Sequence, residues 1–134
     1  MRAIPTDTIP PPTMTAAAAR TARAVLAALV VSGLSSCPFT FLGFLPRKSG
    51  ARRACLEPFR HRSETLVIFE SPHRLLASLA DLQDVFGDRP IAIGRELTKL
   101  HEEVLRGLLS EVREELSQRA SLKGEFTLVV GTVD

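Results

Sequence analysis

The stretch from Thr65 to Gly94 limits the possible folds more than any other part of the chain. Thr65 to Phe69 (TLVIF) is an unbroken run of β-branched, aliphatic and aromatic residues, the make-up of a strand buried on both faces. It stops at Glu70-Ser71-Pro72-His73-Arg74, where Ser71 suits a helix N-cap and Pro72 the first helical position. Leu75, Leu76, Leu79, Leu82, Val85 and Phe86 then recur in steps of three and four, which lays one apolar stripe along a helix. Gly87 ends that helix, and Pro90 leads into a second strand, Ile91-Ala92-Ile93-Gly94. Strand, helix and strand in this order make a βαβ crossover, which joins parallel strands. We expect the two strands to be neighbours in the sheet.

The second strand runs into the most polar part of the chain. Arg95, Glu96, Thr98, Lys99, His101, Glu102 and Glu103 follow it, before the apolar pattern resumes as Val104-Leu105-Arg106-Gly107-Leu108. This reads as a buried strand, a dense polar loop and a return strand. Ligands of open α/β sheets sit beyond the carboxyl ends of the strands, so the loop is a candidate site. The alternative is a solvated loop laced with ion pairs. Ser110 to Arg119 then reads as a helix, with Val112 and Leu116 on one side and Glu111, Glu114 and Glu115 in its early turns. Lys123-Gly124 turns the chain into a final strand, Phe126 to Val130.

Upstream, residues 1–20 carry Pro5, Pro10, Pro11, Pro12 and the run Ala16 to Ala19. Such a stretch buries little and is expected to be disordered or poorly ordered, leaving one domain over residues 21–134. Residues 21–34 read as a helix ending at Gly33, a residue suited to the left-handed cap. Arg20, Arg23 and the apolar run before Leu34-Ser35-Ser36-Cys37 imitate a lipoprotein signal. The charges lie far from the N-terminus, however, so a core helix is the better reading. Phe39 to Leu45 alternates bulky apolar with small or polar residues and reads as a strand closed by Pro46. Arg47, Lys48, Arg52, Arg53, Arg60 and Arg62 follow, against Glu57 alone. A helix over residues 50–61 would expose Arg52 and Arg53, pack Ala54, Leu56 and Phe59, and be short or irregular because of Pro58.

The net charge is only +2, yet residues 1–63 hold nine Lys/Arg against two acids, and residues 64–134 hold eight against thirteen. A basic face near the middle of the chain would attract phosphates, although a solvated charged face is the plainer reading. Cys37 and Cys55 show no ligand spacing and are expected to stay reduced in a cytosolic protein. No apolar run approaches the roughly 20 residues that span a bilayer, so no membrane partner is implied.

Several signatures can be rejected. Neither GxGxxG nor GxxxxGK[ST] occurs, nor does GxSxG. His101-Glu102-Glu103 begins like a zinc HExxH, but Leu105 stands where the second ligand belongs, and no metal site is expected. What remains are two strand ends, at Phe69-Glu70-Ser71 and at Gly94-Arg95-Glu96-Leu97-Thr98, which open on one edge of the sheet. A planar heterocycle could lie against their backbones, with Glu70, Glu96 or Glu102 accepting from a hydroxyl or ammonium group. The cations from Arg47 onward would lie at the same edge and hold nucleic-acid phosphates there.

Three strings carry a resemblance: Gly43-Phe44-Leu45-Pro46-Arg47-Lys48-Ser49-Gly50, Phe69-Glu70-Ser71-Pro72-His73-Arg74-Leu75 and Arg95-Glu96-Leu97-Thr98-Lys99-Leu100-His101-Glu102-Glu103. With Arg106-Gly107 and Gly124-Glu125 in the same order, they resemble the C-terminal half of the bacterial small-subunit ribosomal RNA methyltransferase I family, within the tetrapyrrole-methylase-like superfamily. The resemblance covers about residues 24–133. It implies a mixed, mostly parallel α/β sheet with flanking helices, and S-adenosylmethionine-dependent methylation of a cytidine ribose 2′-hydroxyl. It also implies a homodimer acting in the cytoplasm on small-subunit ribosomal RNA or the 30S subunit. By position, Phe69, Glu70, Ser71, Ala92, Leu97 and Thr98 would meet the cofactor. Glu96, Lys99 and Glu102 would be candidates to take the hydroxyl proton, and Arg47, Lys48, Arg52 and Arg53 would hold RNA.

The chain departs from that family at its start. By the resemblance, Arg20-Thr21-Ala22-Arg23 would stand where the family has a Pro-Gly-Pro-Ser turn, and the family's N-terminal domain is expected to be absent. Half of a cleft would bind the cofactor weakly by itself and leave an apolar inter-domain face uncovered, which predicts self-association. The competing expectation is a non-catalytic RNA-binding or dimerisation module.

Overall fold

The βαβ unit forms, but another strand is threaded through it. In the computed structural model, which describes residues 15–34, 38–96 and 102–132, five strands make one sheet. They are β1 (Phe39–Phe44), β2 (Thr65–Glu70), β3 (Pro90–Arg95), β4 (Glu103–Leu108) and β5 (Phe126–Val130), in spatial order β1-β2-β5-β3-β4. β1 and β2 pair in parallel, whereas β5 runs antiparallel to both β2 and β3, and β4 is antiparallel to β3. The class is mixed α/β as expected. β1, β2 and β3 do share one direction, but β2 and β3 are not neighbours and most pairings are antiparallel. The cause is visible in β5 itself: all of FTLVV is buried, so this strand belongs in the middle of the sheet.

Three helices cover one face: α2 (Ser49–Leu56), α3 (Leu75–Phe86) and α4 (Leu109–Ser117). Alternation sends Leu66 and Ile68 of β2, Ile91 and Ile93 of β3 and Leu128 of β5 into this layer, against Leu56, Leu79, Leu82, Val112 and Leu116. Pro58 ends α2 in a 3₁₀ turn, Glu57–Phe59, so the helix is short as expected.

Among the described residues, the opposite face carries only α1 (Ala16–Ser32), which lies mainly over β5 and β3. It begins before residue 21, because Thr15 accepts a hydrogen bond from the Ala18 N–H and the alanine run is a strong helix former. Gly33 closes it in the left-handed conformation (φ 71°). Beneath it, Val67, Val129 and Ala92 form one register-matched row across the sheet, capped by Val25, Ala28 and Leu29. Residues 1–14, Cys37 and the loop from Leu97 to His101 lie outside the described residues. Among the described residues, no helix is long and apolar enough to cross a membrane.

Candidate functional site

One rung beyond the row covered by α1, the sheet presents Phe69, Thr127 and Gly94 instead, aligned across β2, β5 and β3. Here a cleft of about 510 Å³ opens, within the size range of small-molecule sites. Its walls are Phe44, Phe69 to Pro72, Gly124 to Thr127, and Ala17, Arg20, Thr21 and Ala24 of α1. It lies beyond the carboxyl ends of β1 and β2, the edge expected of a ligand site in this class.

Phe69 and Ser71 thus line a cleft. The Ser71 Oγ is buried and has no hydrogen-bond partner among the described residues, while Glu70 does a different job. Its parity turns the side chain into the α3 layer, 2% exposed. One carboxylate oxygen accepts from the Ser71 N–H at 2.8 Å, the other from the Ser78 Oγ–H at 2.6 Å, and Arg74 Nε lies 3.3 Å away. The carboxylate that was expected to meet a ligand instead fastens the strand to the helix. It also displaces Ser71 from the expected cap: a turn occupies residues 71–74, and α3 starts at Leu75.

Ala92 does not reach the cleft, since it lies one rung too deep, buried under α1. Glu96 sits in the left-handed region (φ 54°), and its Oε1 accepts from the Glu125 N–H at 2.8 Å while its own N–H donates to the Glu125 carbonyl at 2.9 Å. This clamp closes on Gly124 (φ 101°), where an added Cβ would overlap the Glu96 carboxylate. Glu96 therefore shapes the cleft from behind and is not one of its lining residues. Glu102 is exposed beside the start of β4, also away from the lining. Leu97, Thr98 and Lys99 fall outside the described residues.

The four expected phosphate-binding cations divide in two. Arg52 is 3% exposed, against the expectation that it faces solvent. Its Nε donates to Asp81 Oδ2 at 2.8 Å, and its Nη1 donates to the carbonyls of Pro46 (3.2 Å) and Arg47 (3.1 Å). Arg53 donates to the other Asp81 oxygen at 2.9 Å and pairs with Asp84. Ser49 donates to Asp81 as well. Burial pushes the Asp81 carboxyl up, but the donors Arg52, Arg53 and Ser49 outweigh it and hold the group below the usual carboxylate range. Arg47 and Lys48 are exposed, at the same edge as the cleft because β1 is parallel to β2.

Phe44, the α1 residues and the segment from Gly124 to Thr127 were not expected in the site. The α1 residues were hidden by the low-complexity composition around them. Thr127 would follow from alternation once β5 is known to be central. Phe44 depends on a bulge between Phe41 and Gly43, with Gly43 at φ 68°, that no periodicity announces. Among the described residues, no group of His, Cys, Asp and Glu could hold a metal ion.

Comparison with known proteins places this geometry. Ribosomal RNA small subunit methyltransferase I of Micromonospora olivasterospora is 50% identical over 109 residues, 81% of this chain and 35% of the relative. The protein of the same name from Bacillus subtilis is 44% identical over 109 residues, 81% of this chain and 37% of its own. The chain therefore spans little more than a third of the length of these relatives. Among solved structures, the methyltransferase CobJ superposes with a TM-score of 0.61 at 15% identity, over 81% of this chain and 47% of its own. A uroporphyrin-III C-methyl transferase from Thermus thermophilus, complexed with S-adenyl homocysteine, gives 0.54 at 18% identity, over 81% and 48%. The family described as Tetrapyrrole (Corrin/Porphyrin) Methylases matches residues 1–113, which include the proline- and alanine-rich stretch. By that match and by the fold, this chain is a member of the tetrapyrrole methylase family.

Proposed function

We propose that this chain is part of an S-adenosylmethionine-dependent methyltransferase that modifies a cytidine ribose 2′-hydroxyl of small-subunit ribosomal RNA. The observation that carries this reading is the cleft at the strand ends, in a chain 44–50% identical to small-subunit ribosomal RNA methyltransferases I. Bound in the cleft, S-adenosylmethionine would supply a methyl group activated by its sulfonium. The residues present fit such a ligand: Phe44 and Phe69 give an apolar wall, and the buried Ser71 Oγ has a hydrogen bond still to make. Thr127, beside Phe69 on the neighbouring strand, continues that wall, and Gly124 and Glu125 line the cleft next to it. Leu97 and Thr98 stay proposed cofactor contacts, and Lys99 and Glu102 proposed proton acceptors, on the loop between β3 and β4. Removing the hydroxyl proton and holding the reacting atoms in line are what methyl transfer to oxygen requires. Arg47 and Lys48 hold RNA phosphates, and Arg52 and Arg53 support them. We place the active form in the cytoplasm, as a homodimer.

Titration calorimetry with S-adenosylmethionine tests the cofactor, and transfer of labelled methyl groups to small ribosomal subunits tests the reaction. Micromolar binding supports the reading. No binding up to millimolar cofactor overturns it in favour of a non-catalytic RNA-binding or dimerisation module. Sedimentation of the cofactor complex as a monomer would remove the homodimer.

A further inference from the structure

We propose that Phe44 is a stacking platform for an unstacked nucleobase, whose flanking phosphates are held by Arg47 and Lys48. The inference rests on the RNA reading above and deepens it. Phe44 is 64% exposed, an unusual state for a large aromatic side chain at the mouth of a cleft. Strict alternation would put Phe41 and Phe44 on opposite faces of β1. The bulge at Gly43 breaks that alternation, and both rings meet the same Phe69 ring, with centroids 5.0 and 5.8 Å away and each plane inclined by 66°. These edge-to-face contacts brace Phe44 from behind and leave much of the ring open. An exposed ring braced in this way suits a planar base, because every base has a π-face.

The occupant is chosen by charge. Arg47 and Lys48 are exposed, and no carboxylate engages them in the described structure. Arg52, itself buried on Asp81, holds the carbonyls of Pro46 and Arg47 and so fixes the loop that presents both cations. A purely apolar partner would gain nothing from two solvated cations held beside the ring. A polyanion with unpaired bases uses both features. Phe44 also lines the cofactor cleft, so a base on its open side keeps its own ribose at the mouth of that cleft.

Binding of a fluorescein-labelled oligocytidylate RNA to the purified chain tests this, without cofactor. Phe44→Ala is expected to weaken binding about tenfold, the scale of one base–aromatic stack, while Phe44→Trp restores it. Arg47→Ala with Lys48→Ala should lower the slope of log affinity against log salt by about 0.7 for each phosphate left unneutralised, a change that Phe44→Ala does not produce. Thermal unfolding of each variant checks that the fold is kept. If the parent chain binds RNA and Phe44→Ala or Phe44→Leu binds equally well, the platform is wrong and the RNA reading stands. If the parent chain does not bind RNA, both fall. An unchanged RNA affinity with a shifted monomer–dimer equilibrium would give the ring to a second copy instead.

Discussion

The two faces of the sheet differ in what their residues do. Under α2, α3 and α4, large aliphatic side chains are fully buried, and the charged groups Arg52, Asp81 and Glu70 have their hydrogen bonds made within the protein. Under α1 the core is a row of small residues, and just beyond it lie an exposed Phe44 and a buried Ser71 hydroxyl without a partner. On the first face the buried carboxylates Asp81 and Glu70 are both engaged by donors of the protein. The second leaves an aromatic ring open to solvent and a buried hydroxyl unengaged among the described residues. The sheet thus separates a thick core from the proposed recognition face, and the family's sequence strings report on both sides at once. This is why cations from one basic string, Arg47 to Arg53, end up with opposite roles.

Substitutions can break or sharpen this contrast. The largest effect is expected at Asp81: Asp81→Ala strands the buried Arg52 and should cost about 3–5 kcal/mol in urea unfolding, with the loop at Pro46 and Arg47 released. A loss below about 1 kcal/mol would mean that the α3 face is not locked as described. Next comes a matched pair of truncations. Leu79→Ala, in the thick core, should cost about 3–5 kcal/mol, and Leu29→Ala, under α1 beside the open cleft, about 2–3 kcal/mol. Equal losses would erase the distinction between the faces. Gly124→Ala should cost about 1–3 kcal/mol, since both its backbone angle and the Glu96 carboxylate oppose a side chain, and should weaken S-adenosylmethionine binding with it.

Acid provides a milder version of the break at Asp81. Its carboxyl is held below the unfolded value of about 3.9, so the stability it contributes is fully present above that pH. That contribution is lost as pH falls through the lower, folded value. Asp81→Asn should accordingly flatten the acid limb of a stability–pH profile. The smallest effect on stability belongs to Ser71→Ala, within about 0.5 kcal/mol or slightly stabilising, because a buried hydroxyl without a partner is removed. The same variant should lose cofactor affinity, measured by calorimetry. Unaltered affinity would take Ser71 out of the site.

Much of the fold was legible because local pattern and tertiary role agree. TLVIF is a strand buried on nearly its whole length, and the leucine stripe of α3 faces the core as its spacing requires. The place of Phe69 and Ser71 at a cleft was legible because strand ends open on such clefts in this class of sheet. What failed was partner choice over distance. Nothing in FTLVV tells that it inserts between β2 and β3. Nothing near Arg52 tells that Asp81 waits 29 residues away. Where the side chains of Glu70 and Ala92 point was not legible for a simpler reason, since parity and rung depth are fixed only when register is known.

The central place of β5 also bears on how the molecule is made. It is the latest of the five strands in the chain, yet both of its edges are paired. During synthesis, β2 and β3 must each wait with an open hydrogen-bonding edge until β5 has followed them out of the ribosome. The sheet is therefore closed by non-local pairings that form only after the last of the five strands is available, a topology of the kind that folds slowly.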